Sequence, residues 1–236
     1  MVVVVGLSGG KHLYKSVAEL IKARPMEIES RFFPDGELYL RFPEELEDDV
    51  VLIQSMYGDP NNKLVEYLFA SKTALELGAK RVIGVIPYIA YARQDRRFKP
   101  GEAVSVRLVA DMIKHSKTSR IITIDMHLHR VRGAELPTIF DMPVSNLTAM
   151  RLLARRALEF VEEPVFIGPD DEAIEFARVA ASVTGAPYTN LKKVRLGDRE
   201  VEISLGDKTI GIEGRAVSYT HLRAHETEAD LVCRLL

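Results

Sequence analysis

The chain has 236 residues, 47% hydrophobic and 28% charged, and its 32 Lys and Arg against 34 Asp and Glu leave a net charge of −2. That balance gives no support for a general nucleic-acid or anionic-membrane binder, and no apolar run approaches the roughly 18 residues of a membrane span. A single cysteine excludes an internal disulfide and a Cys-rich zinc site, and favours a reducing, cytoplasmic setting.

Strand and helix signals alternate along the chain. Residues 2–5 are a β-branched run that ends in Gly6-Leu7-Ser8-Gly9-Gly10, and a helical stretch follows to about Ala23. Residues 27–31 and 37–41 flank Phe32-Phe33-Pro34-Asp35-Gly36 and read as a hairpin, with Pro and Gly supplying the turn dihedrals. After a strand at 50–54, Asn61 or Asn62 caps a helix with Leu64, Val65, Leu68 and Phe69 on one face, ending near Gly78. A strand at 81–86, a long loop, a helix marked by Leu108, Val109, Met112 and Ile113, and a strand at 120–125 complete the first block. Such alternation implies an α/β fold with a mainly parallel sheet flanked by helices.

Met142-Pro143 interrupts the pattern, which places a seam near 141–146 and a first domain at 1–143. In the second block, Leu147, Met150, Ala154, Ala157, Leu158 and Val161 share a helical face. A strand at 165–167, a helix ending at Gly185, a strand at 186–189, and a hairpin of 201–204 with 209–212 around Gly206 follow. From about Ala216 the sequence leaves this grammar and reads as a non-native tail, 216–236, so the partial second domain is 144–215. His221 and His225 in that tail have metal-ligand spacing but no third partner.

Ligands of α/β sheets bind at the carboxyl ends of the strands. The turn Gly6-Leu7-Ser8-Gly9-Gly10-Lys11-His12 misses the spacing of an ATPase phosphate loop and of a dinucleotide fingerprint; it is either a plain tight turn or a set of amides for a phosphate. The loop after 81–86 packs Tyr88, Tyr91, Arg93, Gln94, Asp95, Arg96, Arg97, Phe98 and Lys99 together, which suits phosphate oxygens and a flat base as well as it suits a solvated charged surface. Asp125, His127 and His129 leave a strand at spacing two and could share a side for a divalent metal or a phosphate. Asp170 and Asp171 are helix caps or ligands of a sugar hydroxyl or a metal-bound water, and Lys192, Lys193 and Arg195 fall on a loop with Gly197. Together these loops fit a nucleotide and a phosphorylated partner.

Four segments carry a closer likeness: Arg31-Phe32-Phe33-Pro34-Asp35-Gly36-Glu37, Pro87-Tyr88-Ile89-Ala90-Tyr91-Ala92-Arg93-Gln94-Asp95-Arg96, Asp125-Met126-His127, and Gly168-Pro169-Asp170. In this order they resemble ribose-phosphate pyrophosphokinases, also called phosphoribosyl pyrophosphate synthases, and residues 98–102 and 127–130 resemble the archaeal branch. The resemblance implies two phosphoribosyltransferase-type domains with mainly parallel sheets, the second incomplete here. It implies transfer of the diphosphoryl group of MgATP to ribose 5-phosphate, in a homodimer or higher homo-oligomer whose adenine pocket often spans two subunits.

The same resemblance implies site residues. Phe33 stacks on adenine and Asp35 and Glu37 accept from its edge. Arg93 and Gln94 hold the ATP phosphates or ribose, His127 helps hold Mg2+, and Asp170 faces the ribose or its metal. Lys193 and Arg195 match a catalytic loop. The family's Asp-Asp-x-x-x-T-x-G-T phosphate loop is replaced here by the sequence after Val217, so these 236 residues are expected to lack turnover while keeping some nucleotide affinity. A non-catalytic regulatory homologue that binds synthase subunits is the rival from another class, and a salvage phosphoribosyltransferase is a third.

Overall fold

The computed structural model describes residues 2–127, 135–169, 171, 173–195, 201–206 and 210. Two compact units divide the chain between Leu147 and Thr148. The first carries a parallel sheet in the order β2-β1-β5-β6-β7-β8, built from β1 (Val2–Gly6), β2 (Arg24–Met26), β5 (Asp49–Ile53), β6 (Val82–Val85), β7 (Thr118–Ile124) and β8 (Val144–Leu147). Strand periodicity sends alternate residues to opposite faces. Val3 and Val5 accordingly enter one core with α2 (Pro60–Glu76), α3 (Ser105–His115) and α4 (Leu136–Phe140), while Val4 enters a second with α1 (Tyr14–Leu20). Each of these valines is at most 1% exposed, which contributes about 1.5–3 kcal/mol per side chain relative to leaving it in water.

In the first unit the expected strands are present, and three short elements were not expected. β2 contains Pro25 and pairs with β1 at the sheet edge, where a missing N–H is tolerated. β8 pairs in parallel with β7 through Ile121↔Val144 to Ile124↔Leu147. Leu147 therefore ends a strand of the first unit rather than opening the next helix, and the boundary falls after the Met142-Pro143 interruption. α4 is the third. The hairpin of β3 (Glu29–Phe32) and β4 (Leu38–Arg41) is antiparallel and separate from the main sheet.

Asp59, not Asn61 or Asn62, caps α2: its carboxylate accepts from the Asn62 N–H at 3.5 Å and from the Asn62 side-chain amide at 2.8 Å. Pro60 at the first helical position fixes that start. The buried face of α2 is Leu64, Tyr67, Ala70, Ser71 and Ala74, and that of α3 is Val106, Val109, Ala110 and Ile113. Val65 and Phe69 on α2, and Leu108 and Met112 on α3, are exposed. Both helices carry two apolar stripes. Spacing alone merged them.

In the second unit, β9 (Phe166–Gly168) pairs in parallel with β10 (Tyr188–Arg195), and β10 pairs antiparallel with β11 (Val201–Leu205). α5 (Met150–Ala157) and α6 (Ile174–Thr184) bury Met150, Ala154, Ala177, Ala180 and Ala181 with Phe166. The hairpin thus joins β10 to β11, through Lys193↔Ile203 and Arg195↔Val201. Lys192, Lys193 and Arg195 lie on a strand where the sequence reading placed a loop, because pairing with the β-branched Val201 and Ile203 extends β10 past Thr189. Residues 209, 211 and 212 of the expected hairpin, Gly197, His129, Asp170 and the tail from Ala216 lie outside the described residues.

Candidate nucleotide site

The glycine-rich turn after β1 is held by the protein itself. Glu66 of α2 is 3% exposed and Gln54, just past β5, is fully buried. The Glu66 carboxylate accepts from the Ser8 N–H at 3.3 Å and from the Ser8 hydroxyl, and Gln54 Oε1 accepts from the Gly9 N–H at 2.8 Å. The Gly10 N–H donates to the Leu7 carbonyl at 2.7 Å. A Cβ at Gly9 would meet the Ser55 carbonyl and one at Gly10 the Ile53 carbonyl, so backbone passes backbone too closely for a side chain. Of the two alternatives for this turn, the tight turn is what forms. The amides of Ser8, Gly9 and Gly10 already have acceptors.

The β3–β4 hairpin presents a different surface. The Gly36 N–H donates to the Phe33 carbonyl at 2.9 Å, Gly36 takes φ 91°, and Asp35 Oδ1 accepts from the Glu37 N–H at 3.1 Å. Pro34 and Asp35 occupy the centre of this turn, as their dihedral preferences favour. Phe33 is 39% exposed. Its ring stands edge-on to Tyr39 at 5.7 Å between centroids, with the Arg31 guanidinium 4.9 Å from the Phe33 centroid and 4.3 Å from that of Tyr39. Phe33 is therefore a rim aromatic on a braced turn. Behind the turn, Glu37 lines a groove of about 410 Å³ with Phe32, Val65 and Phe69.

The long loop after β6 is ordered by one carboxylate. Glu102 Oε2 accepts from the Phe98 and Lys99 N–H groups, both at 2.9 Å, and from the Gln94 side-chain amide at 3.0 Å. The Lys99 amide bond leads in holding the Glu102 carboxyl below its usual value, with Phe98 and Gln94 adding to it against some desolvation. Ile89, Ala90 and Ala92 are buried, and Tyr88 packs edge-on to Tyr57. The Tyr91 hydroxyl donates to Asn61, and Tyr91 holds φ 65° with its carbonyl accepting from Ser105 Oγ at 3.1 Å. The tyrosines of this loop anchor it inward rather than forming a base-stacking face. Arg93 stays exposed on it.

At the end of β7 the strand alternation does not continue. The strand stops at Ile124, and Asp125 takes φ 43° with its N–H donating to the Leu147 carbonyl at 2.8 Å. The alternation that would align Asp125, His127 and His129 therefore ends before the trio begins. The Met126 N–H donates to Asn146 Oδ1 at 3.0 Å, which places a half-buried His127 beside the β7–β8 edge. Among the described residues no group of three or more His, Cys, Asp or Glu side chains is arranged to hold a metal. Asp171 accepts from the Asn190 side-chain amide. Sequence reasoning missed Glu66, Gln54, Ser8 and Ser30; the one available signal was a lone carboxylate inside the apolar run Leu64-Val65-Glu66-Tyr67-Leu68-Phe69.

A family description, the N-terminal domain of ribose phosphate pyrophosphokinase, matches residues 2–116. The ribose-phosphate pyrophosphokinase of Methanopyrus kandleri is 40% identical over 219 residues, covering 91% of this chain and 72% of that protein. The chain belongs to the ribose-phosphate pyrophosphokinase family. The Methanothermobacter thermautotrophicus member is 36% identical over 212 residues, covering 90% of this chain and 72% of its own length. The crystal structure of phosphoribosylpyrophosphate synthetase from Mycobacterium smegmatis superposes with a TM-score of 0.76 at 27% identity, covering 92% of this chain and 69% of that one. This pyrophosphokinase-family chain carries two of its four family-like segments on the hairpin tip and on the loop after β6, while the glycine-rich turn is occupied by its own side chains.

Proposed function

We propose that the protein is a ribose-phosphate diphosphokinase: the anomeric oxygen of ribose 5-phosphate attacks the β-phosphorus of MgATP, the bridge from the α-phosphate to the β-phosphorus breaks, and phosphoribosyl pyrophosphate and AMP result. The observation that carries this reading is the 40% identity over 219 residues to a pyrophosphokinase, a span too long to lie within the first unit alone. Diphosphoryl transfer requires positioning and charge neutralisation rather than covalent catalysis. Phe33 offers its ring to adenine, and Asp35 and Glu37 accept from the exocyclic amine. Arg93 and Gln94 bind the phosphates or ribose, Asp170 faces the sugar, and Lys193 and Arg195 stabilise charge on the transferring group.

Mg2+ favours oxygen donors, keeps several waters and is commonly shared with substrate phosphates. The ion is taken to arrive on ATP, and the family resemblance assigns its protein contacts to His127 and Asp170. When bound, it neutralises phosphate oxygen charge. The exposed apolar side chains of α2 and α3, with Phe69 and Met112 lining one groove, support a homodimer or higher homo-oligomer. No helix among the described residues is long and apolar enough to cross a membrane, and the cytoplasm, where ATP is supplied, is the proposed location.

The test has two parts. Equilibrium binding of MgATP to residues 1–236 is expected to be measurable and to weaken on Phe33→Ala. A chimera carrying the family's phosphate loop in place of the residues after Gly214 is expected to form AMP and phosphoribosyl pyrophosphate in equal amounts, only with both substrates present. AMP release indifferent to ribose 5-phosphate would overturn the reading.

A further inference from the structure

Glu66 is a buried carboxylate that the proposed chemistry does not use. Burying such a charge is costly unless hydrogen bonds hold it, and the donors here come from three separate elements. Oε1 accepts from the Ser30 hydroxyl of β3 at 2.7 Å, and Oε2 accepts from the Gln54 amide at 2.7 Å and from the Ser8 hydroxyl. Oε1 thus faces the hairpin and also accepts from the Ser8 N–H at 3.3 Å. The other faces the glycine-rich turn and the end of β5. Gln54 also donates to the Lys63 carbonyl at 3.0 Å, which fixes this junction to the first turns of α2.

The hairpin is held to the core by Leu40 and by the Ser30–Glu66 bond. It pairs with no strand of the main sheet. Ile28 and Phe42 at its base are buried, whereas Phe33 and the turn stand exposed. A base-anchored hairpin can still tilt about its base, and the Ser30–Glu66 bond opposes that tilt three residues from Phe33.

We propose that Glu66 is a positioning residue for nucleotide binding, which through Ser30 holds the β3–β4 hairpin at the tilt that presents Phe33, Asp35 and Glu37 to the base. The inference rests on the reading of Phe33 as the adenine platform. It deepens that reading by assigning the platform's orientation to a buried carboxylate in a different element.

The experiment measures MgATP dissociation constants of residues 1–236 by equilibrium binding, with thermal unfolding run in parallel. Ser30→Ala removes the tether and leaves the Ser8 and Gln54 bonds to Glu66. It is expected to weaken ATP binding about 3- to 10-fold, the net size of one ordinary hydrogen bond, with little change in Tm. Ser30→Thr, which keeps the hydroxyl, should restore binding to within about twofold on the same scale. In a Phe33→Ala background the Ser30→Ala loss should shrink, because only Asp35 and Glu37 are left to orient. If Phe33→Ala weakens binding while Ser30→Ala binds as tightly as the unmutated chain, the positioning role is overturned and the platform stands. A Ser30→Ala loss of equal size in both backgrounds marks a purely structural bond and also overturns it. If Phe33→Ala leaves binding unchanged, or the unmutated chain binds no ATP, the platform fails and this proposal fails with it.

Discussion

The glycine-rich turn after β1 and the cation-rich loop after β6 leave the same edge of one parallel sheet, yet they use their polar groups in opposite directions. In the turn, the amides of Ser8, Gly9 and Gly10 point to Glu66, Gln54 and Leu7 of the protein itself. In the loop, Glu102 gathers the amides of Phe98 and Lys99 into a brace, and Arg93 remains exposed. A glycine-rich sequence at a strand end is thus no evidence of a phosphate cradle until its donors are traced. What marks a binding loop is a framework satisfied internally that leaves its charged side chains outward.

Substitutions can break this contrast on the turn side, where the largest effects are expected. Glu66→Ala leaves one N–H of the fully buried Gln54 amide without its acceptor and opens space beneath the turn. Urea denaturation should show a loss of about 2–4 kcal/mol. Gly9→Ala forces a Cβ onto the Ser55 carbonyl and should cost about 1–3 kcal/mol, the usual range for overpacking, with ATP affinity of the folded fraction unchanged. A turn that bound phosphate would instead lose affinity before stability.

On the loop and hairpin side, the same measurements should move affinity and spare stability. Phe33→Ala is expected to weaken ATP binding by about 1–3 kcal/mol, the range for base–aromatic stacking, with a stability change under about 0.5 kcal/mol because the ring lies outside the core. Equal losses of stability and affinity would place Phe33 among packing residues.

The smallest effect is a pH response of the loop brace. The Glu102 carboxyl is held below its ordinary value of 4.5, first by the Lys99 amide bond. A depressed folded-state pKa gives a stabilisation that is complete above the unfolded value and lost as the pH falls through the folded one. Amide exchange at Phe98 and Lys99 should therefore accelerate selectively below pH 4.5. Glu102→Gln should abolish that response, and a response that survives in Glu102→Gln would assign it to another group.

The sequence was most legible where local rules suffice. The β-branched runs of β1, β5, β6 and β7, the Pro-Asp-Gly turn of the hairpin and the Gly185 stop of α6 all follow from residue-level propensities. It was least legible where the answer depends on a distant partner. α2 and α3 each carry two apolar stripes, and only the packed sheet decides which is buried. β10 runs through Lys192, Lys193 and Arg195 because β11 pairs with it. Ser8, Ser30, Gln54 and Glu66 lie as many as 58 residues apart, so no spacing pattern could assemble them. The family-like segments supplied the candidate site, whereas the way the protein supports that site became legible only in the fold.

Backbone amide exchange with and without MgATP tests the contrast most directly, since it reads both regions in one sample. Added protection is expected at residues 33–37 and 93–99, which bound ATP would cover, and no change at Ser8, Gly9 and Gly10, which it would not touch. Protection appearing at Ser8–Gly10 while the hairpin stays unchanged would contradict that expectation, and would return the phosphate site to the glycine-rich turn.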